Sequence, residues 1–270
     1  MANILVSVVV TTKNEEKHIA ACLDSIKGQS YKNVEIIVVD NNSEDKTKEI
    51  ALKYTPHVFN HGPERGAQRN YGLIKKAKGE YVMFVDADMT LSPHVIADCV
   101  ERIKKDSSLV GLYISEIVTG NSFWSKVRRF ERSFYDGTVI DCVRFIKRDK
   151  FVEVGGFDES LTGGEDWDLD KKLRQIGKTV LARKPIYHNE AEFNLKKYLH
   201  KKKYYAQSFS TYIAKWGKND PDIKKQFGFW YRFFGVFTEN GKWKKLVGHP
   251  ILMVGMYSLR VKIGLIFLTI

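Results

Sequence analysis

Short runs of β-branched and apolar residues recur in the first third of the chain and predict buried strands. These runs cover residues 4–10, 34–39 and 80–85. Continuous apolar stretches of this length are typical of strands buried on both faces of a parallel sheet. The helical stretches that separate them run over about residues 15–27, 44–54 and 66–77. This alternation predicts an α/β fold with a mostly parallel, Rossmann-like sheet flanked by helices and joined by right-handed crossovers.

Polar residues follow each predicted strand at its carboxyl end. They form the clusters Thr11–Glu15, Asp40–Asn42 and Asp86–Asp88. In sheets of this class, ligands bind beyond the carboxyl ends of the strands. The pattern therefore predicts one ligand site at this edge of the sheet.

The middle of the chain has a more mixed pattern. Further strands are predicted near residues 110–117, 138–146 and 179–183, and a helix is predicted at 122–135. That helix carries an apolar face made of Phe123, Val127, Phe130 and Phe134. After residue 190 the chain becomes helical, basic and aromatic. We therefore divide it into a catalytic domain (1–190) and a C-terminal helical membrane-associating region (191–270).

The net charge of +12 is concentrated in the C-terminal region. Residues 191–270 contain 15 Lys and Arg against 4 Asp and Glu, whereas residues 1–190 contain 29 against 28. A basic segment attracts polyanions, which here means nucleic acid or anionic lipid. The asymmetry predicts a nearly neutral body and a polyanion-binding tail.

Cysteine usage and the N-terminal sequence suggest where the protein works. Cys22, Cys99 and Cys142 lack metal-type spacing and are expected to be reduced thiols of the core. No basic region precedes the apolar run at 4–10, which is also too short for a signal peptide. We expect the chemistry to take place on the cytoplasmic side.

An Asp-x-Asp pair at the end of the third strand is the first candidate metal site. A divalent cation such as Mg²⁺ takes one or two protein carboxylates and completes its shell with phosphate and water. Asp86 and Asp88 match that requirement, although acidic pairs are also common in turns.

Asp40 is a candidate ligand of a ribose or base, or else a helix cap. Arg69 lies near the start of a predicted helix. It is a candidate ligand of a diphosphate or else a surface arginine.

The segment GGEDWDLD (163–170) supplies a candidate general base. Transfer to a hydroxyl requires removal of its proton, and an ionised carboxylate can accept it. We assign Asp166 to this role and let Glu165 orient it or bind the acceptor; the alternative is that these acids only stabilise the helix start. His188 follows a predicted strand and is either a metal ligand or a structural histidine.

These segments, in this order, resemble the family-2 inverting glycosyltransferases with the GT-A fold, over residues 4–190. SVVVTTKNEE (7–16) and VVDNNSEDKT (38–47) resemble the nucleotide-binding elements, and residues 66–88 resemble the arginine helix joined to the Asp-x-Asp motif. The resemblance implies a nucleotide-sugar site and a Mg²⁺ or Mn²⁺ ion. It implies Thr11, Asn14, Glu15, Asp40, Arg69 and Asp86 at the donor, Asp88 and His188 on the metal, Asp166 as the base, and Glu165 and Trp167 at the acceptor.

The C-terminal region carries two candidate membrane-binding elements. Aromatic residues from Tyr198 to Trp216 recur at helical spacing beside lysines, which suits a lipid interface or a helix packed on the catalytic domain. Residues 251–270 are apolar but are interrupted by Arg260 and Lys262, so they predict interfacial insertion with both cations at the headgroups rather than a transmembrane helix.

Together these features predict a metal-dependent inverting glycosyltransferase at the cytoplasmic face of a membrane. The donor is a nucleoside diphosphate sugar, with UDP favoured over GDP, and the acceptor is polyprenyl phosphate or a lipid-linked glycan. One alternative is a sugar nucleotidyltransferase, which normally has a glycine-rich basic loop where this chain has TTKNEE. The other is a nucleic-acid-binding protein, which leaves the acidic strand ends unexplained, so we expect no nucleic-acid partner.

Overall fold

The computed structural model describes residues 4–267 of the chain, with the side chain of residue 267 left out. The first three and last three residues, which belong to the predicted regions 1–190 and 191–270, lie outside the described residues. The strands are β1 (Val6–Thr12), β2 (Val34–Asp40), β3 (Val58–Asn60), β4 (Tyr81–Asp86), β5 (Met89–Leu91), β6 (Leu109–Tyr113), β7 (Glu116–Thr119), β8 (Val143–Lys147), β9 (Lys178–Leu181) and β10 (Ile186–Asn189).

Seven of these strands form one sheet in the order β3-β2-β1-β4-β8-β6-β9. Strands β3, β2, β1 and β4 pair in parallel with one another, and β9 pairs in parallel with β6, whereas β8 runs antiparallel to both β4 and β6. The predicted α/β fold with a mostly parallel sheet is therefore confirmed. The remaining three strands form a small second sheet in the order β5-β10-β7.

The helices cover both faces of the large sheet and continue to the end of the described chain. They are α1 (Ile19–Lys27), α2 (Thr47–Leu52), α3 (Arg65–Asn70), α4 (Val95–Lys105), α5 (Phe123–Arg132), α6 (Arg148–Glu153), α7 (Glu165–Ile176), α8 (Leu195–Ala206), α9 (Phe209–Trp216), α10 (Pro221–Phe227), α11 (Val236–Thr238), α12 (Trp243–Val247) and α13 (Pro250–Phe267). Short π-helical turns at Tyr71–Lys76 and Tyr231–Gly235 continue α3 and precede α11.

Alternation along the buried strands divides the core into two layers. Val8 and Val10 of β1 point to the layer that contains Leu23 of α1, whereas Val9 points to the layer that contains Leu173 of α7. Successive side chains of a strand point to opposite faces, so a strand buried on both sides has to be apolar throughout. This explains why the strands that support the site read as uninterrupted apolar runs.

The structure corrects two strands predicted from the sequence and adds three more. The single strand expected near 110–117 is two strands, β6 and β7, which belong to different sheets. The strand expected at 138–146 begins only at Val143. The strands β3, β5 and β10 were not predicted, because each has only three or four residues and too few positions to show a periodicity.

The predicted aromatic stripe of residues 195–216 lies on two helices and not on one. Helix α8 ends at Ala206, and Ser208 then exchanges hydrogen bonds with the backbone of Gly163 at 2.9 Å. Tyr212 is fully buried, and Trp216 donates a hydrogen bond to Asp168 at 2.9 Å. The stripe therefore packs on the catalytic part of the chain, which was the alternative interpretation, and does not form an outward lipid-facing surface.

Helix α13 packs against the apolar face predicted for α5. Val127 and Phe130 of α5 lie in one buried cluster with Met256 of α13 and Phe237. Arg260, expected at lipid headgroups, is instead buried and lies 3.1 Å from Glu131. That expectation was wrong because an internal carboxylate compensates the buried guanidinium. Within residues 4–267, no helix combines the length and the apolar character needed to cross a membrane.

Candidate active site

A large cavity of about 1380 Å³ opens at the carboxyl ends of β1 and β4. Ligand pockets commonly measure about 300–1,000 Å³, so this one has room for more than a single small molecule. Sequence-predicted residues that line it are Thr11, Glu15, Arg69, Asp86, Asp88, Glu165, Asp166, Trp167 and His188. Nine of the eleven candidate residues thus line the cavity, and of the three strand-end clusters the first and third converge on it whereas Asp40–Asn42 does not.

Sheet register brings the first and third polar clusters together. Thr11 of β1 is paired with Asp86 of β4, and its hydroxyl donates to Asp86 Oδ1 at 3.0 Å. Arg69 Nη2 donates to the same oxygen at 3.0 Å, while its Nη1 donates to Asp166 Oδ1 at 2.7 Å. One guanidinium therefore bridges a carboxylate of the Asp-x-Asp motif and the candidate base.

Arg69 is only 1% exposed and stacks over the ring of Phe84, with 4.6 Å between the guanidinium carbon and the ring centroid. Burial opposes the ionisation of Asp86, but Arg69, together with Arg65 and Arg144, holds the pKa of this carboxyl well below its usual value. The interpretation of Arg69 as a surface arginine was wrong. Its contact with a donor diphosphate stays a prediction.

Two glycines aim the start of α7 into the cavity. Gly164 adopts a left-handed φ of +85°, which costs most other residues energy, and a Cβ on Gly163 would clash with the backbone of Tyr205. Helix α7 then begins at Glu165, so that Glu165 is buried and Asp166 remains 32% exposed. Only the second of the two acids therefore presents a partly exposed carboxylate to the cavity.

Glu165 and Arg65 form an ion pair behind Asp166, with 3.0 Å between Arg65 Nη2 and Glu165 Oε1. Burial and the neighbouring charge of Asp166 raise the pKa of Glu165 to about 7, although Arg65 opposes this shift. The pKa of Glu165 is raised because a second negative charge next to Asp166 is unfavourable where little solvent reaches the carboxylate. Glu165 is therefore a buried, paired carboxylate next to Asp166, and its roles in orienting Asp166 or binding the acceptor stay predictions.

Asp88 contacts His188, which in turn contacts Glu116. His188 Nε2 lies 3.1 Å from Asp88 Oδ2, and His188 Nδ1 lies 2.8 Å from Glu116 Oε1. Although burial opposes the positive charge, Asp88 and Glu116 raise the pKa of His188 to about 10. Asp88 Oδ1 is buried and has no hydrogen-bond partner within residues 4–267. Its unpartnered oxygen beside an imidazole nitrogen fits a divalent cation.

Asp88 and His188 are two candidate metal ligands. Within the part of the chain that the structure describes, no group of three or more His, Cys, Asp or Glu side chains is placed to hold a metal ion. Mg²⁺ usually needs only one or two carboxylates and takes its remaining ligands from phosphate and water. Asp88 therefore fits a cation that is held jointly with a phosphorylated ligand, and His188 can join it only after losing a proton.

Asn14 and Asp40 lie outside the cavity lining and serve the turns beside it. Asp40 is fully buried, and its carboxylate accepts hydrogen bonds from the backbone amide and the hydroxyl of Ser43. The Asn14 side chain accepts a hydrogen bond from Glu44 N at 2.9 Å. Glu15 does line the cavity, where burial and the charge of Asp88 raise its pKa to about 7. The nucleotide contacts of Asn14 and Asp40 stay predictions.

The structure adds site residues that the sequence did not reveal. Glu116 orients His188 and accepts a hydrogen bond from Arg144 Nη2 at 2.9 Å. In the sequence, Glu116 was recognisable only as a single carboxylate inside an apolar predicted strand. Trp167 contacts Phe209 and Phe227 of the C-terminal helices, with ring centroids 6.0 and 5.9 Å apart. These helices therefore form one wall of the cavity, while the division at residue 190 stays a prediction.

A family model described as glycosyl transferase family 2 matches residues 7–160. An uncharacterised glycosyltransferase of Rickettsia typhi is 32% identical over 189 residues, which cover 64% of this chain and 59% of that protein. The chondroitin synthase of Escherichia coli is 24% identical, and the match covers 64% of this chain and 27% of that protein. The chain thus spans well under two thirds of the length of these curated relatives.

Two solved structures share the fold over nearly the whole chain. The mannosyltransferase PcManGT from Pyrobaculum calidifontis, in complex with GDP-Man and Mn²⁺, matches with a TM-score of 0.66 at 19% identity, covering 99% of this chain and 88% of that one. S. aureus TarS 1–349 in complex with UDP-GlcNAc matches with a TM-score of 0.57 at 21% identity, covering 94% and 79%. At this identity the likeness shows the fold, which is the predicted GT-A fold.

Proposed function

The chain belongs to glycosyl transferase family 2, and from this premise we propose that it is a metal-dependent inverting glycosyltransferase. In this proposal it moves a sugar from a nucleoside diphosphate, UDP in preference to GDP, to a lipid-linked acceptor at the cytoplasmic face of a membrane. The sugar nucleotidyltransferase alternative does not agree with the family. The observation that carries the proposal is the unpartnered Asp88 Oδ1 beside the Asp86–Arg69–Asp166 chain.

Asp88 and His188 are the residues that would hold Mg²⁺ or Mn²⁺. When bound, such an ion supplies positive charge that stabilises the departing nucleoside diphosphate. Asp86 stays ionised beside Arg69 and is placed to accept hydrogen bonds from the hydroxyls of a ribose or sugar. In support, PcManGT was solved with GDP-Man and Mn²⁺, and TarS with UDP-GlcNAc.

Asp166 is the proposed general base. Its carboxylate lines the cavity, is 32% exposed, and is held at one oxygen by Arg69 at 2.7 Å. A fixed carboxylate can remove the proton of an acceptor hydroxyl as the bond from the sugar to the nucleotide breaks. A single base on the acceptor side suits direct displacement, which inverts the anomeric centre.

The decisive experiment follows nucleotide release from a panel of UDP- and GDP-sugars, with Mg²⁺ or Mn²⁺ and a membrane lipid extract. We expect release and a glycolipid product that both require metal and that are lost in Asp88→Ala. Asp149→Ala is the matched control, because Asp149 is an exposed carboxylate on α6 that does not line the cavity. Full activity of Asp88→Ala, or of the wild type in chelator, would contradict the metal assignment.

The proposed membrane address is supported by an aromatic patch, defined here as Phe229, Trp230 and Phe234. These side chains are 58%, 76% and 46% exposed, and their rings contact one another at 5.5–6.1 Å. Exposed aromatic groups in a segment with 15 basic against 4 acidic residues suit an anionic lipid surface. This patch replaces the buried 195–216 stripe as the proposed lipid-contacting element.

A further inference from the structure

The end of the cavity formed by the C-terminal helices has more positive than negative side chains. We call this the basic end, and it is made of the cations Arg128, Lys201, Lys202, Arg232 and Arg260 with the anions Glu131 and Glu190. Both carboxylates are already engaged. Glu131 lies 2.7 Å from Arg128 and 3.1 Å from Arg260, and Glu190 lies 3.2 Å from Arg128.

Lys202 and Arg232 are therefore left without a carboxylate partner among residues 4–267. The Lys202 ammonium faces the rings of Tyr198 and Tyr205, at 5.3 and 5.9 Å from their centroids, and no ion pair involves it. Burial, reinforced by the charge of Arg128, lowers the pKa of Lys202 to about 7. Burial and the charge of Arg260 likewise lower the pKa of Arg232.

Partly buried cations without an anion disfavour the folded state, because they lose hydration and gain no compensating charge. Such an arrangement is typical of functional sites, where a ligand supplies the missing charge. The other carboxylates that line the cavity, which include Glu192 beside Glu190, form no ion pair with Lys202 or Arg232 among residues 4–267, and Asp86 and Glu165 are paired with Arg69 and Arg65. The basic end thus has unused capacity for an anion.

The same part of the cavity has apolar walls. Phe229 and Phe233 line it from one side, and Val261, Ile263 and Leu265 of α13 line it as well. Phe229, Val261 and Leu265 are also 58%, 51% and 58% exposed, so this wall continues onto the surface. A ligand that matches both features carries an anionic group and a hydrocarbon chain.

We propose that Lys202 and Arg232 bind the phosphate group of a lipid phosphate, whose hydrocarbon chain lies along the wall formed by residues 229–233 and α13. Phosphate suits this pair because an ammonium and a guanidinium can each donate to its oxygens. Calling this lipid phosphate the acceptor rests on the proposed function; its binding does not. Reaction and binding are therefore tested separately.

The test is calorimetric titration of the full chain, without donor or metal, using decyl phosphate below its micelle concentration. Inorganic phosphate probes the headgroup alone and decanol probes the chain alone. We expect decyl phosphate to bind more tightly than either. Lys202→Gln and Arg232→Gln should each weaken decyl phosphate binding about tenfold or more, since each removes a charged hydrogen bond. Lys203→Gln is the matched control, an exposed lysine adjacent on α8.

Each other outcome overturns part of the proposal. Equal binding of decyl phosphate by the wild type and both variants would refute the assignment of Lys202 and Arg232 as phosphate ligands. Equal affinity for inorganic phosphate points to a soluble phosphate, and equal affinity for decanol removes the phosphate contact. Parallel loss of UDP and GDP binding assigns the cations to the donor. Thermal unfolding separates these results from misfolding, because removing an unpaired cation should leave Tm unchanged or raised, whereas a structural role would lower it.

Discussion

The two ends of the cavity are both charged, but they are neutralised in different ways. At the strand end, Asp86 and Asp166 share Arg69, and Glu165 is paired with Arg65. Among the described residues, the buried Asp88 Oδ1 lacks a hydrogen-bond partner there, as do Thr12 Oγ1 and Arg69 Nε. At the basic end, Lys202 and Arg232 form no ion pair with a carboxylate in the described part of the chain. The charges of the strand end are thus mostly paired before any ligand binds, and one further cation beside Asp88 would complete the pairing. The basic end instead requires an anion.

The largest expected effect concerns the candidate base at the strand end. Asp166→Asn keeps the shape of the side chain but cannot accept a proton, so transfer to a sugar hydroxyl should fall by about 10²–10⁴-fold. Transfer to a lipid phosphate should fall less, because that acceptor is already anionic near neutral pH. The measurement is kcat with each acceptor class, and Asp149→Asn serves as the control. Full activity of Asp166→Asn on both classes would remove the base assignment.

The second prediction concerns the cation that two carboxylates share at the strand end. Arg69→Leu removes the guanidinium that pairs with both Asp86 and Asp166, and unfolding in denaturant should show a loss of about 3 kcal/mol. The double variant Arg69→Leu/Asp86→Leu should recover part of that stability, because it removes one of the two stranded charges. Arg183→Leu, at an exposed arginine, should change stability by no more than about 0.5 kcal/mol.

If Arg69→Leu were as stable as the wild type, the pairing of the two aspartates through Arg69 would not contribute to the folded state. A double variant less stable than the single one would show that Asp86 is held by contacts other than Arg69, with Thr11 as the first candidate.

The smallest effect concerns the surface that continues from the basic end. Trp230→Ser removes the most exposed ring of the aromatic patch and should weaken binding to vesicles of phosphatidylglycerol and phosphatidylcholine about tenfold. Leu52→Ser is the matched control, because Leu52 is 59% exposed on α2 in the nearly neutral body. Co-sedimentation measures both. Unchanged binding of Trp230→Ser, or an equal loss in Leu52→Ser, would refute the patch as the lipid contact.

The candidate site was predictable where local pattern and strand geometry coincide. Asp86 and Asp88 end a buried strand, and the parallel register with β1 necessarily brings Thr11 beside them. The position of Asp166 followed from the glycine pair and the acidic first turn of α7. Contacts between residues distant along the chain were not predictable in this way. Glu116 lies 72 residues from His188, and no periodicity relates the two.

The sequence by itself determined the α/β class, the family resemblance, the strand-end acids and the excess of positive charge after residue 190. These follow from local composition and spacing, which one chain displays directly. Only the tertiary structure decided that Arg69 joins Asp86 to Asp166, that Arg260 is internal, and that Lys202 and Arg232 have no carboxylate partner within residues 4–267. The reason is that charge compensation depends on which side chains meet across elements, and a chain carries no local mark of the partner that a buried cation finds or lacks.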